Sequence, residues 1–331
     1  MSKKYTLALI YGGQGAEHQI SILSKRYVST ILNRNNYKIV ECFIGKNGKF
    51  YVEGECATPL LAESSLFVGG KKIKIDVAIP ILHGEFGEDG KIQGLLELMH
   101  TPYVGCDSTA GAVAFDKVLT KRISENIGIR VVDYLSFNGE SSAVAQEKCE
   151  KSFSYPMFIK PTRQGSSFGA SAVNYKEEFT KSYDLACRYG KGKVLVEKCL
   201  TQKRELECAY LAYGGKRYIS EVGEVLSHGF YSFTDKYTKG RTCVVANADI
   251  PTCVRDKIRE CVGVLADALD IRHLARFDFF LSGDEVYFNE VNTLPGFTRT
   301  SLYPRLIKDI GVSLSDMLDS LIFDAIGVTK L

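Results

Sequence analysis

Apolar and polar positions along this chain recur in two different periods, and the switches between them mark the elements. Tyr5 to Tyr11 is a compact apolar run of strand type ending at Gly12-Gly13. Ile20, Leu23, Tyr27 and Ile31 then recur at helical spacing, before a second strand-like run from Tyr37 to Ile44. Val77 to Leu82 is apolar without interruption, the mark of a strand covered on both faces, and Ile92 to Met99 reads as the helix after it. These segments predict one βα sheet domain over about residues 1–116.

A helix is expected from Asp107 to Ile127. It leads into a smaller, more hairpin-like block with strands near Val131 to Leu135, Met157 to Lys160, Ala170 to Val173 and Lys193 to Glu197. A third block has strands at Glu205 to Tyr213, Lys216 to Val222, Leu274 to Leu281 and Glu285 to Glu290. Its helices are marked by Val254, Ile258, Val262, Leu265 and Leu269, and by Leu314, Met317, Leu318, Leu321 and Ile322. Such alternation predicts α/β architecture. No repeat or low-complexity linker separates the blocks, so three domains (1–116, 117–205 and 206–331) are expected around a shared cleft.

At 331 residues the chain can bury a sizeable core, and 45% apolar with 24% charged residues excludes disordered, fibrous and membrane-spanning classes. The net charge of +3 comes without a long basic run, so neither nucleic acid nor a membrane is indicated as a partner; small or acidic ligands stay open. The ten cysteines are scattered and never form C-x-x-C. That excludes zinc and iron-sulfur spacings and fits free, mostly buried thiols in a reducing compartment. The run from Tyr5 to Tyr11 lacks a cleavage-type end, so it is read as the first strand of a cytoplasmic protein.

Three segments carry candidate chemistry. Lys160 closes a strand and Gln164-Gly-Ser-Ser-Phe-Gly169 follows as a loop, which can aim backbone N–H groups at phosphate oxygens with the lysine as a point charge. A plain hairpin with an exposed lysine would read the same from this segment alone. Arg276, Asp278 and Phe280 alternate onto one strand face, as do Glu290 and Asn292 across a hairpin. Oxygen donors so placed suit Mg²⁺ bound together with nucleotide phosphates. The segment 227–241, with Phe230, Tyr231, Phe233, Lys236 and Tyr237, is too long and aromatic for a connector and reads as a lid over phosphate. The turns at His83 to Gly90 and at Gly12 to His18 are weak ligand signals, and His18, His100, His228 and His273 read as surface or capping residues.

In this order the segments resemble the ATP-grasp superfamily, and within it the D-alanine-D-alanine ligase family. The matching pieces are Gly12-Gly-Gln-Gly-Ala-Glu-His-Gln-Ile-Ser21, His83-Gly-Glu-Phe-Gly-Glu-Asp-Gly-Lys-Ile-Gln-Gly94, Asp116-Lys117, Ile159-Lys-Pro-Thr-Arg-Gln-Gly-Ser-Ser-Phe-Gly169, Lys236-Tyr237, Arg276-Phe-Asp-Phe-Phe280, Asn289-Glu-Val-Asn-Thr-Leu-Pro-Gly-Phe-Thr298 and Ser301-Leu-Tyr-Pro304. They span nearly the whole chain. The resemblance implies a Rossmann-like (pre-ATP-grasp) N-terminal domain followed by a two-subdomain ATP-grasp fold. The implied activity joins two D-alanines through an acyl phosphate at the expense of ATP, for peptidoglycan precursor synthesis.

The resemblance also implies roles. Lys117 and Lys160 would hold the α- and β-phosphates, Lys236 would reach the γ-phosphate, and Asp278, Glu290 and Asn292 would bind two Mg²⁺ ions, with Mn²⁺ able to substitute. Glu197, Lys198 and Leu200 would meet the adenine and Glu205 the ribose. Glu17 would take the first D-alanine's ammonium with His83 close by, and Arg276 and the Gly296 N–H would steady the oxyanion. Ser301 and Leu302 would bind the second substrate, while Ser166 and Tyr237 would bridge Glu17 to the lid. A homodimer formed by the N-terminal domain is expected.

Close rivals are D-alanine-D-serine and D-alanine-D-lactate ligases. Leu302, where such enzymes tend to carry Arg, and the lid tyrosine Tyr237 favour D-alanine. A glutathione-synthetase-like ligase is disfavoured by Glu17, His83 and the Ser301-Leu-Tyr-Pro304 segment. A non-catalytic nucleotide-binding module would lack Arg276 or a metal ligand, and none is missing.

Overall fold

A computed structural model describes residues 4–227 and 242–327; the expected lid from 228 on, with Lys236 and Tyr237, lies outside them, as does His228. Three sheets follow one another. The first has seven strands, β1 (Tyr5–Gly12), β2 (Tyr37–Ile44), β3 (Phe50–Val52), β4 (Glu55–Leu60), β5 (Ser65–Val68), β6 (Lys71–Lys74) and β7 (Val77–Ile81), in the order β6-β5-β4-β3-β2-β1-β7. Only β1 pairs in parallel, with β2 and β7. It is buried on both faces, Leu7 and Leu9 to one side and Ala8 and Ile10 to the other, as its uninterrupted apolar run requires. The antiparallel meander β3 to β6 has no counterpart in the elements expected from the sequence. The helices α1 (His18–Ile31) and α2 (Lys91–Leu98) fall where their periodicity puts them.

The helix expected from Asp107 to Ile127 is two helices, α3 (Ser108–Phe115) and α4 (Lys117–Asn126). Asp116 between them is extended, and its carboxylate accepts the N–H groups of Val118 and Leu119, a helix N-cap that starts α4 afresh. The break leaves Lys117 as the first residue of a new helix. The second sheet is antiparallel, in the order β10-β9-β11-β8, from β8 (Tyr134–Asn138), β9 (Met157–Pro161), β10 (Ser171–Val173) and β11 (Lys193–Lys198). Met157, Ile159, Val194 and Val196 pack with residues of α5 (Ser142–Ser152) and α6 (Phe179–Gly190), so by strand alternation Phe158, Lys160, Leu195 and Glu197 take the opposite face.

The third sheet is also antiparallel, β14-β13-β12-β15-β16, from β12 (Arg204–Tyr213), β13 (Lys216–Ser227), β14 (Thr242–Val245), β15 (Leu274–Ser282) and β16 (Glu285–Asn292). Leu206, Cys208, Phe277 and Phe279 join the helix Thr252–Ala268 in one apolar cluster. On the other face Ala209, Leu211 and Leu274 are covered by the helices Leu302–Asp309 and Leu314–Ala325 together with Leu7, Leu9 and Val77 of the first sheet. Farther along that second face the sequence turns polar: Glu205, Glu207, Arg276 and Asp278. The polar stretch and the Lys160-Glu197 face of the second sheet enclose a cleft. Among the free thiols Cys42, Cys106, Cys149 and Cys208 are buried, while Cys56 and Cys253 are exposed.

Candidate active site

The cleft brings together Lys117, Lys160, Ser166, Glu197, Lys198, Leu200, Glu205, Arg276, Asp278 and Glu290 of the residues singled out in the sequence. Its cations and anions hold one another. The Lys117 ammonium stands 3.0 Å from Glu290 and donates to the Gln164 carbonyl at 2.7 Å. Lys160 lies 2.8 Å from Glu197 and 3.3 Å from the Asn289 amide oxygen. Burial pulls the Lys160 ammonium below its ordinary pKa, against the opposing pull of Glu197. Burial pushes the Glu197 carboxyl up, but Lys121 and Lys160 beside it overcome that and hold it at about 2. Lys198 and Leu200 line the wall next to Glu197, and Glu205 pairs with Lys203 at 3.1 Å.

Opposite stand the carboxylates expected to meet metal. Asp278 and Glu290 are direct partners in the β15-β16 register, as are Arg276 and Asn292. Arg276 grips both Asp278 oxygens at 2.7 Å and reaches Glu207 at 3.1 Å; these anions outweigh burial and hold its guanidinium firmly charged. The Asn292 amide donates to Asp278 at 3.1 Å. A bulge after Asp278 gives β16 one extra residue, and so Asn289 and Glu290 both line the cleft. Among the described residues no three His, Cys, Asp or Glu side chains close on one point. Two carboxylates and an amide oxygen fit the open kind of Mg²⁺ site, which keeps waters and is completed by phosphate.

Glu17, His83, Gly296 and Ser301 lie beyond this cleft and are tied to it. The Ser166 hydroxyl donates to Glu17. That carboxylate lies against Gly84 and Gly165, where added β-carbons would fall 2.1 and 2.7 Å from its Oε2, so side chains there would evict it. His83 donates from Nδ1 to the Leu294 carbonyl at 2.9 Å and has the Ser24 hydroxyl 2.9 Å from Nε2, and burial lowers its pKa, which favours the neutral imidazole. Glu88, unsuspected in the sequence, accepts the Leu294 and Gly84 N–H groups at 3.0 and 2.8 Å. The Leu294 backbone is thus held by both its carbonyl and its N–H from the loop that follows β7. Burial, with the Glu17 charge adding to it, pushes Glu88 up to about 8.

Ser301 closes a turn on Thr298, accepting its N–H at 3.0 Å, and stands beside Gly296. Leu302 departs from expectation. It is 3% exposed and belongs to the apolar cluster under the third sheet, packed over Gly223. Its helical position turns it inward, away from the cleft wall. His18 and His273 are buried and not at the surface: His18 donates to the Gly13 carbonyl at 2.6 Å, and His273 accepts the Gly105 N–H at 2.8 Å. Glu88, Lys121, Lys203, Glu207 and Asn289 are among the site's buried or cleft-lining polar residues to which the sequence reading gave no role.

Two family models match the chain, D-ala D-ala ligase N-terminus over residues 6–106 and D-ala D-ala ligase C-terminus over 123–323. The chain belongs to the D-alanine-D-alanine ligase family. The D-alanine-D-alanine ligase of Chloroherpeton thalassium is 36% identical, with 97% of this chain and 96% of the relative aligned. The crystal structure of D-alanyl-alanine synthetase A from Vibrio cholerae superposes with a TM-score of 0.91 at 30% identity, over 99% of this chain and 100% of that one. The VanG D-Ala:D-Ser ligase from Enterococcus faecalis gives 0.88 at 32% identity, over 98% and 100%. The family fold is the Rossmann-like domain and ATP-grasp pair expected from the motifs.

Proposed function

We propose that this cleft joins two D-alanines to D-alanyl-D-alanine, spending ATP through an acyl phosphate, as a step of peptidoglycan precursor synthesis. The chain is an ATP-dependent ligase of its family. The observation that carries the site assignment is the facing of Lys117 and Lys160 with Asp278 and Glu290 across one cleft. Phosphoryl transfer needs fixed positive groups where charge builds, and these lysines are held in place by carboxylates before any nucleotide arrives. Phe158, Leu200 and Phe280 give the same cleft an apolar wall suited to a purine.

Lys117 and Lys160 hold the α- and β-phosphates, with Lys236 reaching the γ-phosphate from the lid; Glu197, Lys198 and Leu200 meet the base and Glu205 the ribose. Asp278, Glu290 and Asn292 hold two Mg²⁺ ions, or Mn²⁺, which when bound neutralise the phosphate oxygens. Glu17 takes the ammonium of the first D-alanine, its carboxylate steadied by Ser166 with Tyr237 on the lid side, and neutral His83 stands near without adding a competing charge. Arg276 and the Gly296 N–H face the developing oxyanion, and the Ser301 turn seats the second amino acid with Leu302 behind it. A division into three parts at 116 and 205 is supported by three sheets over residues 5–81, 134–198 and 204–292.

D-Serine as second substrate is the reading to weigh against this one, because VanG superposes over nearly the whole chain. We assign D-alanine on the full-length match to D-alanine-D-alanine ligases such as that of Chloroherpeton thalassium. We also assign a homodimer through the first sheet, supported by exposed Leu61 and Leu98 on neighbouring segments, and a cytoplasmic location, supported by the free thiols. No helix among the described residues is long and apolar enough to cross a membrane. Phosphate release with ATP and a panel of D-amino and D-hydroxy acids tests the activity. D-Alanine-dependent release with D-alanyl-D-alanine as product is expected; release that ignores D-alanine overturns it.

A further inference from the structure

Lys121 is 0% exposed and lines no part of the cleft. It sits one turn after Lys117 on the same face of α4. Its ammonium lies 2.7 Å from Glu197 Oε1 and donates to the Val132 carbonyl at 3.3 Å, with the Tyr134 ring centroid 5.3 Å away. The other Glu197 oxygen is the one that holds Lys160, at 2.8 Å. Two ammonium groups therefore share one buried carboxylate, one from beneath and one at the cleft wall.

We propose that Lys121 is a positioning residue for nucleotide binding: by engaging one oxygen of Glu197 from below, it fixes the carboxylate that sets the Lys160 ammonium against the phosphates. The proposal rests on the reading of the cleft as the ATP site. Stability alone is a poor account of this lysine, because dehydrating a buried pair costs about what the attraction returns and an apolar chain of the same length would fill the space as well. Two effects are specific to the charge. With Lys121 in place the cluster of two lysines and one carboxylate keeps a net +1 facing the cleft; without it, Lys160 and Glu197 cancel. And with Oε1 released, Glu197 can turn both oxygens onto Lys160 and draw it back from the cleft.

The test compares Lys121→Met, Lys121→Arg, Glu197→Gln and the Lys121→Met/Glu197→Gln pair with the wild type, by calorimetric binding of ATP and by KM for ATP and for D-alanine. In Lys121→Met the Kd and KM for ATP should rise roughly tenfold, the scale of one charge removed close to the site, while KM for D-alanine stays. Lys121→Arg should recover most of the loss. Because the lysine acts through Glu197, adding Lys121→Met to Glu197→Gln should cost little more than Glu197→Gln alone. Unchanged ATP affinity in folded Lys121→Met, or additive losses in the pair, overturns the proposal. If Lys121→Met does not fold, Lys121→Gln is held to the same criteria. A wild type that binds no ATP would instead overturn the reading of the cleft, which separates the two failures.

Discussion

The Ser166 hydroxyl donates to the Glu17 carboxylate across 149 positions of sequence, joining the glycine-rich loop of the second sheet to the first helix of the chain. Ser166 and Ser167 both hold positive φ, +48° and +60°, a backbone state that costs a residue with a β-carbon about 1 kcal/mol or more each. Ser166→Ala should lower kcat/KM for D-alanine by roughly tenfold or more, since a hydrogen bond to a charged group is worth about 1.5–3 kcal/mol. Ser166→Gly should lose as much activity yet melt no lower than the alanine variant, because glycine relieves the backbone. Steady-state kinetics and thermal melts of the two variants check this; wild-type kcat/KM in either would sever the link between the loop and substrate binding.

Lys160→Ala and Glu290→Gln should each nearly abolish ligation in a folded protein. The first removes a phosphate charge and the second a metal ligand together with the partner of Lys117. One such contact is worth on the order of 3 kcal/mol at the transition state, a hundredfold or more in rate. Phosphate release measured beside circular dichroism decides it, and normal turnover by either variant would remove that residue from the site.

Strands with a clean period were legible in the sequence: Tyr37 to Ile44 is β2 residue for residue, and the alternation of Arg276, Asp278 and Phe280 onto one face is observed. The meander β3 to β6 was not, because its strands are three to six residues long and bury few side chains, although Glu53-Gly54 and Gly69-Gly70 are turn pairs that announce hairpins. Val131 and Val132 drew the eighth strand forward by three residues. They are apolar for another reason: both are buried, and Val131 bridges to Phe288 of another sheet. The split at Asp116 was masked by unbroken helical periodicity on either side. In the site, Lys160 and Asp278 lie where the motifs put them, but Glu207 and Asn289, which line the same cleft, were not singled out, nor were Lys121 and Glu88, since their partners lie 76 and 206 positions away and no local pattern points to them.

Glu88 should make stability depend on pH. Its folded pKa of about 8 lies above the ordinary carboxyl value of 4.5, so the folded protein binds the extra proton between the two. The stability which that proton supplies is fully present below about 4.5 and is lost as pH rises through about 8. Glu88→Gln, neutral throughout, should therefore gain on the wild type in melting temperature as pH goes from 5 to 8.5. Melting curves at four pH values check it, and a difference that stays constant or shrinks with pH would show that Glu88 is ionised in the folded state.

Leu302 decides between two outcomes for a substitution aimed at selectivity. At the cleft wall, Leu302→Arg would offer a donor to the hydroxyl of D-serine and shift the product ratio. Buried as it is, with its side chain over Gly223 and among Leu306 and Tyr303, the same change drives a guanidinium into an apolar cluster. An unpaired buried charge costs about 3–5 kcal/mol. The expected result is a melting temperature lower by several degrees and poor yield of folded enzyme, whereas Leu302→Met, of similar volume, should stay close to wild type. The wild type itself, given equal D-alanine and D-serine, should release mostly D-alanyl-D-alanine, since a substrate hydroxyl that finds no partner is disfavoured by about a hundredfold. Calorimetry and a two-substrate competition assay read both effects. A stable Leu302→Arg that makes mainly the D-serine product would place the side chain at the substrate and overturn its assignment to the core.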